Sequence, residues 1–222
     1  MWCGASLLVP TGRFDTYLFD LDGTLLDSIE LIFRCYRHAA QTHMGELPPD
    51  KVWLDGLGTP LRQQFSAVTS DADLIEEMVI TYREYHHVHH DTSVALYSGI
   101  EGVVTALSER GATLGVVTSK LRAGAERGLE LTGLIEHFPL LVTADDVKRP
   151  KPDPEPVELA LERAGAARAN TIFIGDSPHD MAAGRAAGVA TAAVLWGPFS
   201  VDDLAASSPT FLLERPEEIL SL

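Results

Sequence analysis

Three apolar runs in this chain each stop on a residue able to do chemistry. Tyr17-Leu18-Phe19 stops on Asp20, Gly115-Val116-Val117 on Thr118, and Thr171-Ile172-Phe173-Ile174 on Gly175-Asp176. Short apolar runs of this kind read as buried strands. Segments of helical character separate them: Ile100 to Arg110, closed by Gly111 as a helix-ending glycine would be, then 121–132 and 155–164. Further strands are expected near Leu140 to Thr143 and from Val189 to Leu195. Strands alternating with helices pair in parallel and are covered on both faces. The pattern therefore predicts an α/β fold with a doubly wound parallel sheet. Ligands of such sheets bind outside the carboxyl ends of the strands, so Asp20, Thr118 and Asp176 are expected along one edge.

The first of these edges carries a second carboxylate, in Asp20-Leu21-Asp22-Gly23-Thr24. Residues two apart on extended chain share a face, and Gly23 allows a sharp turn. Two close anions repel, a cost that makes sense when a divalent cation or a shared proton lies between them. Asp-Gly-Thr is also ordinary turn chemistry. The other strand ends favour the chemical reading.

Between Ser28 and Ser93 the strand pattern is missing. Asp27 and Glu30 read as a capping-box pair for a helix from about Ser28. Ile29, Ile32, Phe33, Tyr36 and Ala40 repeat at helical spacing. Pro48-Pro49 interrupts, and helix is expected again around 52–54, 61–68 and 71–90. This stretch is read as an all-helical insert between two parts of the α/β unit.

Composition narrows the partners. The net charge of −15 over 222 residues argues against nucleic acid. An acidic protein that handles an anion must build its positive field locally, from a metal or a few placed cations. Cys3 and Cys35 are too few and too scattered for a disulfide framework, which favours a cytoplasmic chain with free thiols. The stretch Met1 to Pro10 lacks a basic start, and its apolar run is too short for a membrane span. It reads as a frayed extension or an arm before the first strand.

Four short motifs now stand in order. Asp20-x-Asp22-Gly23-Thr24 is the first, and Thr118 after Gly115-Val116-Val117 the second. Lys151 in Lys151-Pro152-Asp153-Pro154 is the third, and Gly175-Asp176-Ser177-x-x-Asp180 the fourth. Together they resemble the haloacid dehalogenase superfamily, from Tyr17 to the end of the chain. The resemblance implies a Rossmann-like core of residues 1–27 and 96–222 with an inserted helical cap domain, 28–95. It also implies a Mg²⁺-dependent phosphohydrolase. Asp20 would be the nucleophile and Asp22 the general acid and base. Thr118 and Lys151 would stabilise the transferring phosphoryl group, with Ser119, Gly23 and Thr24 at the substrate. Asp20, Asp22 (through its carbonyl) and Asp176 would hold the metal, and Asp180 would orient Lys151 or a metal-bound water. The prolines flanking Lys151 are expected to keep that segment extended and rigid.

The superfamily's C–Cl hydrolases lack the second aspartate of the first motif, so Asp22 argues against that branch. A phosphomutase of similar outline is the alternative within the superfamily. From a different class, a receiver-like phospho-accepting domain is opposed by Asp22 and by the insert. The segment Gly58-Thr59-Pro60-Leu61-Arg62 resembles the cap of phosphoglycolate phosphatases and of bacterial pyrophosphatases. A small phosphate ester or pyrophosphate is the implied substrate, with no membrane partner. Arg62 either reads a second anionic group or is simply solvated. His86, His87, His89 and His90 invite a metal reading, since 86 and 90 share a helix face. No further ligands stand nearby, and a solvated helix end is the competing expectation. Trp196-Gly197-Pro198 is read as loop packing or as part of the site entrance.

Overall fold

The computed structural model describes residues 14–222. The stretch Met1 to Pro10, including Cys3, lies outside the described residues. In chain order, β1 (Thr16–Phe19) and the short β2 (Leu26–Asp27) precede four helices. These are α1 (Ile29–Met44), α2 (Asp50–Gly56), α3 (Leu61–Phe65) and α4 (Ala72–Ser93). After β3 (Ala95–Leu96) helices and strands alternate: α5 (Ile100–Glu109), β4 (Thr113–Val117), α6 (Arg122–Leu131), β5 (Leu140–Val142) and α7 (Glu155–Ala164). The chain closes with β6 (Thr171–Gly175), α8 (Pro178–Ala186), β7 (Ala190–Val194), α9 (Val201–Ala206) and β8 (Phe211–Leu213).

Six strands form one parallel sheet in the order β5-β4-β1-β6-β7-β8. The expected doubly wound sheet is present. The chain starts in the middle at β1, builds outward through β4 and β5, then crosses back to β6 on the other side. Strand order reverses beside β1, the place where such sheets open a crevice. Phe19 is level with Val116 on one side and Ile174 on the other, so three strands end side by side.

The alternation of side chains along these strands produces two cores. Tyr17, Phe19, Leu114, Val116, Ile172 and Ile174 pack on one face, and Leu18, Val117 and Phe173 on the other. Each fully buried side chain of this size contributes roughly 1.5–3 kcal/mol. The helices α1–α4 bring an aromatic cluster of their own, with the Tyr36 and Trp53 rings stacked 5.0 Å apart and Phe65 edge-on to both. The two chain segments joining α1–α4 to the sheet pair with each other, β2 antiparallel to β3 with Leu26 opposite Leu96.

Two local expectations are corrected. The Asp27/Glu30 capping box does not form: Ser28 precedes the helix with no side-chain cap, and Asp27 belongs to β2. The Ser28 hydroxyl donates instead to Asp22 Oδ1 at 2.6 Å. The segment around Lys151 is not extended. The Asp153 amide donates to the Pro150 carbonyl at 3.0 Å, closing a turn that contains a cis Lys151–Pro152 bond. Among the described residues, no helix is long and apolar enough to cross a membrane.

Candidate active site

The side-by-side strand ends place the first motif against the fourth. The Asp20 amide, just past β1, donates to the Ile174 carbonyl of β6 at 2.8 Å. The carboxylates of Asp20, Asp176 and Asp180 then converge, each offering an oxygen within 4.8 Å of the others, and all three residues are buried. Gly23 (φ +85°) and Gly197 make room for this: a Cβ at either position would run into Asp176. The Trp196 indole donates to the Thr24 carbonyl at 3.0 Å, so the loop after β7 packs onto the turn after β1, as the packing reading of that segment expects.

Lys151 is the counter-charge. Only 1% of it is exposed, yet its ammonium lies 2.9 Å from Asp20 Oδ1 and donates to Asp180 Oδ1 at 2.6 Å. Burial works against its charge, but Asp180 and Asp20 outweigh burial and hold its pKa above the usual lysine range. Asp180 is fixed from the other side by Ser177, whose amide and hydroxyl both donate to Oδ2, at 3.0 and 2.6 Å. The Asp180 amide donates back to the Ser177 hydroxyl at 3.2 Å, a complete capping box at the start of α8. The Ser-x-x-Asp spacing that forms it was visible in the sequence.

One lysine does not balance three buried carboxylates. Burial pushes Asp20 up to about 7, with Lys151 pulling down and Asp180 pushing up. Burial, then Asp180 and Asp20, holds Asp176 well above the ordinary carboxylate range. A cluster of hard oxygen donors with excess negative charge fits a cation such as Mg²⁺.

Asp22 is treated differently. Its side chain turns away from that trio, and both of its oxygens lie 2.9 Å from the Lys120 ammonium while Oδ1 also accepts from Ser28. Burial acts upward on Asp22, but Lys120 and Ser28 overcome it and hold the group below its ordinary value. The carboxylate of Asp22 thus stands apart from the three convergent ones. The two aspartates of the first motif occupy opposite electrostatic settings, one pushed toward its neutral form and one held ionised.

A cavity of about 660 Å³ opens over this edge, between the strand ends and the helices α1–α4. Asp20, Asp22, Thr118, Ser119 and Asp176 reach it from the sheet, and Gly58, Arg62, Tyr82, His86 and His90 from the helices. Thr118 accepts from the Lys120 amide at 3.2 Å, and the Ser119 hydroxyl donates to the Gly58 carbonyl at 2.5 Å. Gly23 and Thr24, expected at the substrate, are not in the cavity wall; the Thr24 hydroxyl donates to Asp176 Oδ1 at 3.2 Å instead. Arg62 is in the wall, but its guanidinium is forked onto Glu76. The histidines divide: His90 is buried, His86 half-buried and His87 exposed. A solvated helix end describes neither His86 nor His90. Nor do they form a metal group, since the aspartate trio is the one such group among the described residues. Sequence reading passed over Lys120, although it directly follows Thr118 and Ser119, and the turn after a strand of this edge is where such a residue belongs.

The sequence profile of haloacid dehalogenase-like hydrolases matches residues 17–194. The chain belongs to this family. Over 211 residues it is 41% identical to the pyrophosphatase PpaX of Bacillus velezensis, covering 95% of this chain and 96% of that protein. The PpaX of Anoxybacillus flavithermus is 39% identical over 210 residues, 95% of this chain and 97% of that one. Among solved structures, a haloacid dehalogenase-like hydrolase from Bacteroides fragilis superposes with a TM-score of 0.85 at 27% identity, over 91% of this chain and 97% of that one. A structure described as a phosphoglycolate phosphatase from Lactobacillus plantarum gives 0.83 at 27% identity, over 95% and 99%. The family membership and the fold expected from the four motifs are both borne out, and the chain is a hydrolase.

Proposed function

We propose that this hydrolase cleaves small phosphate compounds, pyrophosphate or a phosphate monoester such as 2-phosphoglycolate, through a phosphorylated Asp20. The observation that carries the reading is the meeting of Asp20 with Asp176, Asp180 and the buried Lys151 at one sheet edge, open to a cavity. The names of the relatives at 38–41% identity point the same way.

In this reading Asp20 attacks phosphorus and forms an acyl phosphate, so that one hard hydrolysis becomes two easier steps. Asp22 gives a proton to the leaving oxygen and later takes one from the attacking water. The Thr118 hydroxyl and the Lys151 ammonium meet the negative charge that spreads over the phosphoryl oxygens. Asp20, Asp176 and the Asp22 carbonyl would hold Mg²⁺. Bound there, it would neutralise the repulsion between carboxylate and phosphate. Asp180 fixes Lys151 in place. Residues 28–95 act as a lid over the site, with Thr24–Ser28 and Ser93–Gly99 as hinges, and closure excludes water from the first step.

Phosphate release from para-nitrophenyl phosphate, 2-phosphoglycolate and pyrophosphate, with Mg²⁺ and after chelation, tests the proposal. Metal-dependent turnover of at least one is expected. A stable phosphoprotein without sustained release would favour a phospho-accepting role.

A further inference from the structure

Five lysine and arginine side chains line the cavity against three carboxylates, Asp20, Asp22 and Asp176, in a chain whose net charge is −15. Three of the five are engaged: Lys120 with Asp22, Arg62 with Glu76, and Arg127 with Asp91. The other two are Arg83 of α4 and Lys148 of the loop after β5. Both are exposed, and among the described residues neither side chain makes a hydrogen bond or an ion pair. On each side another arginine has taken the acids at hand. Glu76 shares α4 with Arg83 and its charge couples to it, yet both Glu76 oxygens sit in the Arg62 fork. Beside Lys148, the Arg149 guanidinium lies 2.9 Å from Glu155 and 3.4 Å from Asp153. Tyr82, Arg83, His86, His87 and His90 all line the cavity, so one face of α4 looks onto it. On that face burial pushes His86 down to about 3, so its ring is neutral at ordinary pH and Arg83 supplies the charge. Cations left unpaired in the wall of a cleft focus a positive field on whatever anion enters it.

We propose that Arg83 and Lys148 form a paired site for a second anionic group, carried by the part of the substrate beyond the transferred phosphoryl. This deepens the phosphohydrolase reading and rests on it. Arg62, which the sequence offered for the role, is closed off by Glu76, and the same ion pair keeps Glu76 from neutralising Arg83. The Arg83 guanidinium presents a planar fork that suits a carboxylate or a phosphate, and the Lys148 ammonium adds a point charge. One comes from the inserted helices and the other from the sheet edge, so an anion held by both ties the helices to the sheet. The terminal phosphate of pyrophosphate and the carboxylate of 2-phosphoglycolate offer the same chemistry.

The test compares wild-type enzyme with Arg83→Met and Lys148→Met, all with Mg²⁺, on pyrophosphate, 2-phosphoglycolate and para-nitrophenyl phosphate. The last carries no anionic group beyond its phosphoryl. Both side chains are exposed, so neither substitution opens the core. Losing a hydrogen bond to a charged group costs about tenfold or more in binding. Relative to para-nitrophenyl phosphate, kcat/KM on pyrophosphate or 2-phosphoglycolate should therefore fall about tenfold or more in each variant. Whichever substrate shows the fall identifies the second anion as phosphate or carboxylate. Arg83→Lys should recover part of the loss, because it restores the charge without the fork. A ratio unchanged in either Met variant on both anionic substrates would overturn the paired site, as would wild-type enzyme that turns over para-nitrophenyl phosphate alone. Both results leave the phosphohydrolase reading intact. If wild-type enzyme turns over none of the three, that reading fails first and the proposal falls with it.

Discussion

The Lys120 ammonium sits 2.9 Å from both carboxylate oxygens of Asp22, joining the turn after β4 to the turn after β1. This contact separates the two aspartates of the first motif. Asp22 is held ionised beside a cation, whereas Asp20 is pushed up to about 7 by burial. A nucleophile must be ionised and a general acid protonated, the reverse of these two directions, so the proposed roles need a cation's charge beside Asp20 and a loosened Lys120–Asp22 contact at the leaving oxygen.

Replacing Lys120 with Met removes the main group holding the Asp22 pKa down, so that pKa rises. The limb of the kcat/KM profile that reports Asp22 should move to higher pH, and Lys120→Arg should largely restore it. A profile unchanged in Lys120→Met would show that the contact does not tune Asp22.

Lys151→Met leaves Asp20 and Asp180 buried without their cation. Breaking a buried pair from one side costs about 3–5 kcal/mol. The midpoint of urea unfolding should fall accordingly, and kcat should drop by about 10²-fold or more. A variant with wild-type stability would place the lysine outside any necessary ion pair.

Metal binding can be read without turnover. A ligand that binds only the folded state stabilises it, so Mg²⁺ should raise the melting temperature of the wild-type protein. Asp176→Asn should abolish that rise. A full Mg²⁺ shift in this variant would mean that the cation binds elsewhere.

Asp146 gives a pH dependence that does not involve the aspartate trio. Burial acts upward on it, but hydrogen bonds from Arg163 and Thr143, together with Arg122, bring its pKa below the ordinary value. Its stabilisation is therefore present above the unfolded carboxylate pKa of about 3.9 and is lost as pH falls through the lower folded value. Asp146→Asn should cost about 1–2 kcal/mol at neutral pH. The gap to wild type should narrow below pH ~4, where Asp146 of the unfolded chain takes up its proton while the folded carboxylate is still ionised. A gap that is constant with pH would contradict the ionic origin.

Much of this molecule is readable from its chain because local pattern and tertiary position coincide in the sheet. Apolar runs mark β1, β4 and β6, and parallel pairing forces their carboxyl ends together, so Asp20, Thr118 and Asp176 were placed by pattern alone. What the sequence hid was the choice among partners. Ser28 had a helix to cap and an Asp22 to bond, and it bonds Asp22. The Thr24 hydroxyl bonds Asp176, a contact its place in the first motif did not foretell. The pairing of Lys120 stands out only once the turns after β1 and β4 are brought together, and that of Asp91 with Arg127 only once α4 meets α6. The prolines around Lys151 led to the expectation of an extended segment, and the chain turns there instead, with the Asp153 amide donating to the Pro150 carbonyl.

The nucleophile is tested most directly by rapid acid quench of wild-type enzyme during turnover of a ³²P-labelled substrate, followed by peptide mapping. Radiolabel on the peptide containing Asp20, absent in Asp20→Asn, is the expected result. Label on another residue, or wild-type turnover by Asp20→Asn, would contradict it.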